Sequence, residues 1–255
     1  MHTGNSALLF LAAVLGGALN SVAGGGSFIG FPALLVAGIP PIQANATNTV
    51  ALWPGSLASA GAFRQELSAH HDRLFWPFII TSLVGGATGA LLLLHTPQAT
   101  FTRMIPWLLL LATVIFTFGG QITRKLRQRQ GKPEGHLLSA PVVLGLQLLT
   151  AIYGGFFGAG IGILMLATLA VTGMENIHEM NAYKNILATC INGIAVVAFI
   201  VARVVVWPQA VLMIVGAILG GYGTASFVRR LDPRYVRTFV IVVACAMTAY
   251  FFHKY

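Results

Sequence analysis

Apolar residues along this chain gather into ten segments separated by short polar or glycine-rich stretches. One set runs at about 6–22, 27–38, 44–63, 74–95 and 101–121; a second runs at about 139–157, 160–172, 181–202, 208–228 and 235–252. An α-helix rising 1.5 Å per residue needs about 20 residues to cross a bilayer, and most segments approach that length. Segments 27–38 and 160–172 are too short, and each follows a glycine cluster. Each is therefore expected to be a half-helix behind a break, not a complete crossing.

The two sets resemble each other. Gly24, Gly26 and Gly38 match Gly158, Gly160 and Gly173, and Asn45-Ala46-Thr47-Asn48 matches Asn181-Ala182-Tyr183-Lys184. Trp76-Pro77 matches Trp207-Pro208, and Gly85-Gly86 matches Gly220-Gly221, all in the same order. Such ordered self-similarity predicts two structural repeats. The expected divisions are a first transmembrane repeat over 1–122, a basic linker over 123–137 and a second transmembrane repeat over 138–255.

Composition fixes the class. Of 255 residues, 56% are hydrophobic and 8% are Asp, Glu, Lys or Arg, against roughly 25% charged in soluble domains. A soluble fold of this length would lack the hydrated groups to cover its surface, so the chain reads as an all-α polytopic membrane protein embedded in a lipid bilayer. The net charge of +9 comes from clusters such as Arg124 to Lys132 and Arg229 to Arg237, set between apolar segments. That placement is the mark of cytoplasmic loops, not of a nucleic-acid-binding face. Cys190 and Cys245 lie in apolar runs, and no disulfide framework, metal site or cofactor is expected.

Charge also orients the repeats. If each glycine break folds into a hairpin, each half has odd parity and the two repeats are inverted. Arg64, Arg73, the 124–132 cluster, Lys184 and the 229–237 cluster then collect inside, leaving Arg103, Arg203 and Lys254 outside. Continuous helices through the breaks separate charge much less well. The expected fold is two inverted repeats, each a glycine-broken helical hairpin followed by three transmembrane helices. The N-terminus is predicted outside and the linker in the cytoplasm. The first apolar segment lacks the basic start of a signal peptide, since no Lys or Arg precedes Arg64.

Unwound backbone at mid-membrane depth survives only where protein or a watery cavity satisfies it. A half-helix starting near Ser27, behind Gly24, Gly25 and Gly26, presents N–H groups and a positive dipole end to such a cavity. Gly158, Ala159 and Gly160 offer the same from the other repeat. Thr47, Asn48, Asn181 and Asn185 supply hydrogen-bonding groups, and Lys184 a full charge. Together these twelve residues are the candidate anion site. Lys184 has an equally simple reading as a snorkelling residue paired with Glu175 or Glu179. Tyr153 is either a cap on the cavity or a packing aromatic. Asn20 and Asn192 read as helix–helix hydrogen-bonding residues, and the stripes at Gly85 to Gly89 and Gly220 to Gly223 as close-packing surfaces. His70-His71-Asp72 reads as a solvated loop, and the six acids form no reactive constellation, so no enzyme is expected.

The stretch Asn20-Ser21-Val22-Ala23-Gly24-Gly25-Gly26-Ser27-Phe28, with Gly38-Ile39-Pro40-Pro41 and Ala46-Thr47-Asn48, resembles the first motif of the sulfite exporter TauE/SafE family. Tyr153-Gly154-Gly155-Phe156-Phe157-Gly158-Ala159-Gly160 and Asn181-Ala182-Tyr183-Lys184-Asn185 are similar to its second motif, and the resemblance spans nearly the whole chain. It implies a transporter of sulfur-containing anions, such as sulfite or sulfonates, in the bacterial cytoplasmic (inner) membrane. No GxxxxGK[ST] loop is present, which leaves a secondary carrier or uniporter. The expected mechanism is alternating access around the midplane site. An anion channel and a membrane assembly factor without transport are the competing classes, and assembly into a homo-oligomer is left open.

Overall fold

The computed structural model describes residues 3–23, 25–62, 74–129, 139–172, 174, 177–227 and 233–254. Among them every regular element is an α-helix. The first half holds α1 (Thr3–Ala23), α2 (Ser27–Val36), α3 (Pro41–Ala62), α4 (Phe75–His95) and α5 (Gln98–Arg129). The second holds α6 (Ala140–Phe156), α7 (Ile161–Ala170), α8 (Ile177–Val201), α9 (Trp207–Phe227) and α10 (Pro233–Lys254). Three stretches, Phe75–His95, Gln98–Gly119 and Glu179–Val201, are long and apolar enough to cross a membrane. Helix α5 runs on through Arg129, into the stretch read as linker; residues 130–137 lie outside the described residues.

The surface has the inside-out character of a protein solvated by lipid. Leu149, Trp107 and Val201 are 65%, 65% and 77% exposed, with Leu11, Ile80 and Val84 also outward. Asn45, Thr47, Asn48, Ser82, Gln147 and Thr113 are buried. In water such apolar faces would drive aggregation; against acyl chains they are the stable arrangement.

Helix pairings come in matched sets. Helix α1 packs most extensively on α9, and its counterpart α6 packs just as extensively on α4; α3 with α9 is mirrored by α8 with α4. Helix α3 meets its own counterpart α8, and α5 meets α10. Thr113 and Thr248, on matching turns of α5 and α10, lie with their hydroxyls 3.2 Å apart. On α3, Trp53 Nε1 donates to the carbonyl of Thr189 at 3.2 Å, the residue that matches it on α8. The glycine stripes bring the α1–α9 and α4–α6 pairs together. A Cβ on Gly220 would collide with the Val14 carbonyl, and one on Gly89 with that of Ile152. This is small-residue packing, as the sequence suggested.

Both breaks fold back on themselves. Gly26 lies against Gly16 and Asn20 of α1, whereas ten residues of continuous helix would set Gly26 and Gly16 about 15 Å apart. In the second break, Phe157 and Gly158 donate from N–H to the Tyr153 carbonyl, and Gly154 abuts Ile161. Helices α2 and α7 have 10 residues each. That is about 15 Å, half the roughly 30 Å hydrocarbon core.

Candidate functional site

Helix α3 runs back alongside α2, so Asn48 sits beside Ser27 and Gly30. Helix α8 returns alongside α7, laying the Lys184 stem over Gly162. Where the two hairpin tips face these returning helices, they enclose a cavity of about 70 Å³. That is room for a few waters or one small oxyanion.

Both repeats contribute walls. The first supplies Asn20 from α1, Ser27 from the start of α2, and Thr49, Leu52, Trp53 and Ser56 from α3. The second supplies Phe157 and Gly158 from the hairpin tip, Ile161 and Gly162 from the start of α7, and Lys184, Asn185, Ala188 and Asn192 from α8. The N-terminal ends of both half-length helices thus reach one space, where the partial positive charge of each helix dipole is felt. Among the described residues, Lys184 is the sole charged one in this lining. Its ammonium donates one hydrogen bond, 3.1 Å, to Asn181 Oδ1, which leaves two of its three N–H donors for the cavity.

The twelve predicted residues divide unevenly. Ser27, Gly158, Lys184 and Asn185 line the cavity. Gly24 lies outside the described residues. Gly25 faces Val240 and Phe116, and Gly26 is pressed onto α1. Gly160 faces Ala112, and the carbonyl of Ala159 accepts the Tyr153 hydroxyl at 2.7 Å. Thr47 Oγ1 accepts the N–H of Val206 at 3.0 Å, tying the α8–α9 turn to α3. Asn181 stands behind Lys184 as its acceptor.

Asn48 likewise stands behind the wall: its amide donates to Ser27 Oγ at 3.3 Å and orients that hydroxyl, while Oδ1 is buried without a partner. Among the described residues the bonded partner of Lys184 is Asn181, not Glu179, and Glu175 is not described. Tyr153 straps the hairpin instead of capping the cavity.

Asn20, Thr49, Trp53, Ser56 and Asn192 were missed or read as packing groups. Asn20 donates to Ser56 Oγ at 3.4 Å, so it does bridge helices, yet it does so at the cavity wall. The usable signal was period: Thr49 and Ser56, like Asn185 and Asn192, recur two turns apart on one face of an otherwise apolar helix.

Comparison with known proteins places the chain among membrane transporters. The chain is 30% identical over 244 residues to a probable membrane transporter protein of Haemophilus influenzae, covering 95% of this chain and 92% of that one. It is 28% identical over 245 residues to the probable membrane transporter protein YfcA of Escherichia coli K12, covering 95% and 87%. A probable membrane transporter protein, ORF9, of a Sinorhizobium species is 29% identical over 246 residues, covering 94% and 90%. No solved structure gives a significant match. The sequence model described as "Sulfite exporter TauE/SafE" matches residues 9–251, so this chain belongs to the TauE/SafE family of membrane transporters.

Proposed function

We propose that this protein is a secondary exporter of sulfite, sulfonates or related sulfur-containing anions, working by alternating access in the bacterial inner membrane. The observation that carries the reading is the cavity between the repeats: two helix N-termini, several amide and hydroxyl groups and one ammonium, with no carboxylate among the described residues of its lining. A cation in such surroundings is costly unless an anion joins it, and a bound oxyanion supplies the missing charge and acceptors. The family name and the transporter names of the relatives support the same class.

In this reading the repeats are inverted, the hairpins re-enter without crossing fully, the N-terminus is outside and the stretch after α5 is cytoplasmic. The matched helix pairings support such an arrangement. The anion enters from the cytoplasm, displaces water from the cavity, and accepts hydrogen bonds from Lys184, Ser27 and Asn185. One repeat then rocks against the other to open the outer side. An inside-negative potential favours outward anion movement by about 2.3 kcal/mol per charge per 100 mV, so export needs no coupling ion.

The test is sulfite and sulfonate efflux from proteoliposomes under an imposed potential. Saturable efflux, lowered about 10- to 100-fold in Lys184→Gln, is expected. Flux that rises linearly with concentration would make the protein a channel, and absence of flux for every sulfur anion tried would overturn the substrate class.

A further inference from the structure

A second cavity, about 480 Å³ and open to the membrane-facing surface, lies between α5, α6 and α7. Its walls include Leu111 and Ile115 of α5, Leu149 and Tyr153 of α6, and Ala167 and Val171 of α7. Even the polar lining has its hydroxyl donors already engaged. Thr150 Oγ1 donates to the Leu146 carbonyl at 2.9 Å and Thr168 Oγ1 to that of Leu164 at 3.1 Å, each within its own helix. The cleft also marks a break in the pseudo-symmetry. Helix α1 packs against α10, whereas the matching pair, α6 and α5, packs less closely and has the cleft between. The inner wall is Tyr153, whose hydroxyl holds the hairpin that brings Gly158 to the polar cavity.

Charge along α5 indicates what fills the cleft. The helix continues past Ile115 to Arg124, Lys125, Arg127 and Arg129, whereas its opposite end carries Arg103 alone. From Ile115 to Arg124 is about 14 Å at 1.5 Å per residue. One leaflet of a roughly 30 Å hydrocarbon core has nearly that thickness. A phospholipid with its phosphate at the basic turns would therefore lay the far part of one acyl chain in the cleft. The α6 and α7 walls, each about 10 Å long, suit a single chain and not a whole lipid. Basic clusters at this depth select anionic headgroups.

We propose that the α5–α6–α7 cleft binds one acyl chain of an anionic phospholipid whose headgroup sits at the basic C-terminal turns of α5. The site is separate from the polar cavity and does not depend on what that cavity carries. Through Tyr153, its occupant packs against the second hairpin from the lipid side.

The experiment washes the full-length protein free of lipid in mild detergent, then titrates it with phosphatidylglycerol or phosphatidylcholine bearing identical chains. Bound lipid is read by native mass spectrometry, and Tm alongside it. Phosphatidylglycerol should bind about tenfold more tightly than phosphatidylcholine and raise Tm. Ala167→Phe, which fills the cleft, should lose that binding, while Leu92→Phe on the outer face of α4 keeps it. Neutralising Arg124, Lys125, Arg127 and Arg129 to Gln should reduce phosphatidylglycerol to the phosphatidylcholine level. Should Ala167→Phe misfold, Ala167→Cys in a Cys190→Ala, Cys245→Ala background replaces it, with thiol labelling slowed about tenfold by phosphatidylglycerol. Equal binding of the two lipids, undiminished binding in Ala167→Phe, unprotected labelling at position 167, or a protein dimer covering the cleft in place of lipid would each overturn the proposal.

Discussion

Gly26 and Gly160 stand at matching places in the two repeats, each just before a ten-residue helix, yet the chain needs glycine there for opposite reasons. Gly26 keeps ordinary right-handed angles, φ −58° and ψ −33°. What it lacks is bulk: a Cβ there would collide with the Gly16 carbonyl and lie 3.1 Å from Asn20 Cβ. Gly160 has space, with no heavy atom closer than 3.4 Å to an added Cβ, but sits at φ 76° beside Gly158 at φ 79°. At these two places one glycine is needed for its lack of bulk, the other for its left-handed backbone. The polar fittings differ too. The first hairpin brings Asn20 and Ser27 to the cavity, with Asn48 of α3 behind; the second brings backbone, and α8 after it adds Asn185, Asn192 and Lys184, the one cation among the described residues of the lining. Asn48 and Lys184 hold matching positions, so two similar scaffolds make one site in which charge enters from one side only.

The sharpest way to break that asymmetry is to remove each repeat's contribution to the anion. Charge-assisted hydrogen bonds contribute about 1.5–3 kcal/mol and neutral ones about 0.5–1.5. Lys184→Gln should therefore weaken sulfite binding about 10- to 100-fold, and Ser27→Ala only about 3- to 10-fold. Ligand-induced stabilisation across a sulfite titration gives both constants. Equal losses from the two variants would show that the repeats share the anion evenly and that the charge of Lys184 serves some other purpose.

An effect on stability instead of binding separates the two glycines. Gly26→Ala must displace the α1 backbone and should cost about 3 kcal/mol, near the upper end for an overpacked position. Gly160→Ala meets no wall and bears only the left-handed penalty, about 1 kcal/mol. Asparagine tolerates left-handed angles, so Gly160→Asn should be milder than Gly160→Ala, while Gly26→Asn should be worse than Gly26→Ala. Thermal unfolding of the four variants in one detergent tests the order. A Gly26→Asn protein as stable as Gly26→Ala would mean that the first hairpin gives way readily.

These differences mark where the sequence could be read and where it could not. Two short apolar segments behind glycine clusters sufficed to place both half-length helices, because length is set by rise per residue and breaks by glycine. The stripes at Gly85 to Gly89 and at Gly220 were legible as packing surfaces for the same kind of reason. The phase of each tip was not. Whether Gly25, Gly26, Ala159 and Gly160 face the cavity depends on turn angles that composition does not reveal, and here they face α1, α5 and α10 or are buried in the hairpin. Asn48 was legible as a polar residue at the right depth, but Ser27 stands between it and the cavity. Thr49, Ser56 and Asn192 carried a helical period that pointed inward. It was outweighed because small polar residues on membrane helices also serve as interhelical glue.

The mildest effect concerns the strap present in only one repeat. Tyr153 donates its hydroxyl to the Ala159 carbonyl at 2.7 Å, while counting back from the matched glycines places buried Leu19 at the same position in the first repeat. Tyr153→Phe keeps the ring, which packs edge-on to Phe157 at 6.4 Å, and removes only the donor. The expected loss is about 1 kcal/mol of stability, that of one buried hydrogen bond. Its signature should be local: amide exchange should quicken around Phe157 to Gly160 and stay unchanged around Gly25 to Phe28. Faster exchange at both tips would mean that the hairpins open as one unit. No change at either would mean that the two left-handed glycines hold the second tip without the strap, leaving backbone conformation as its whole support.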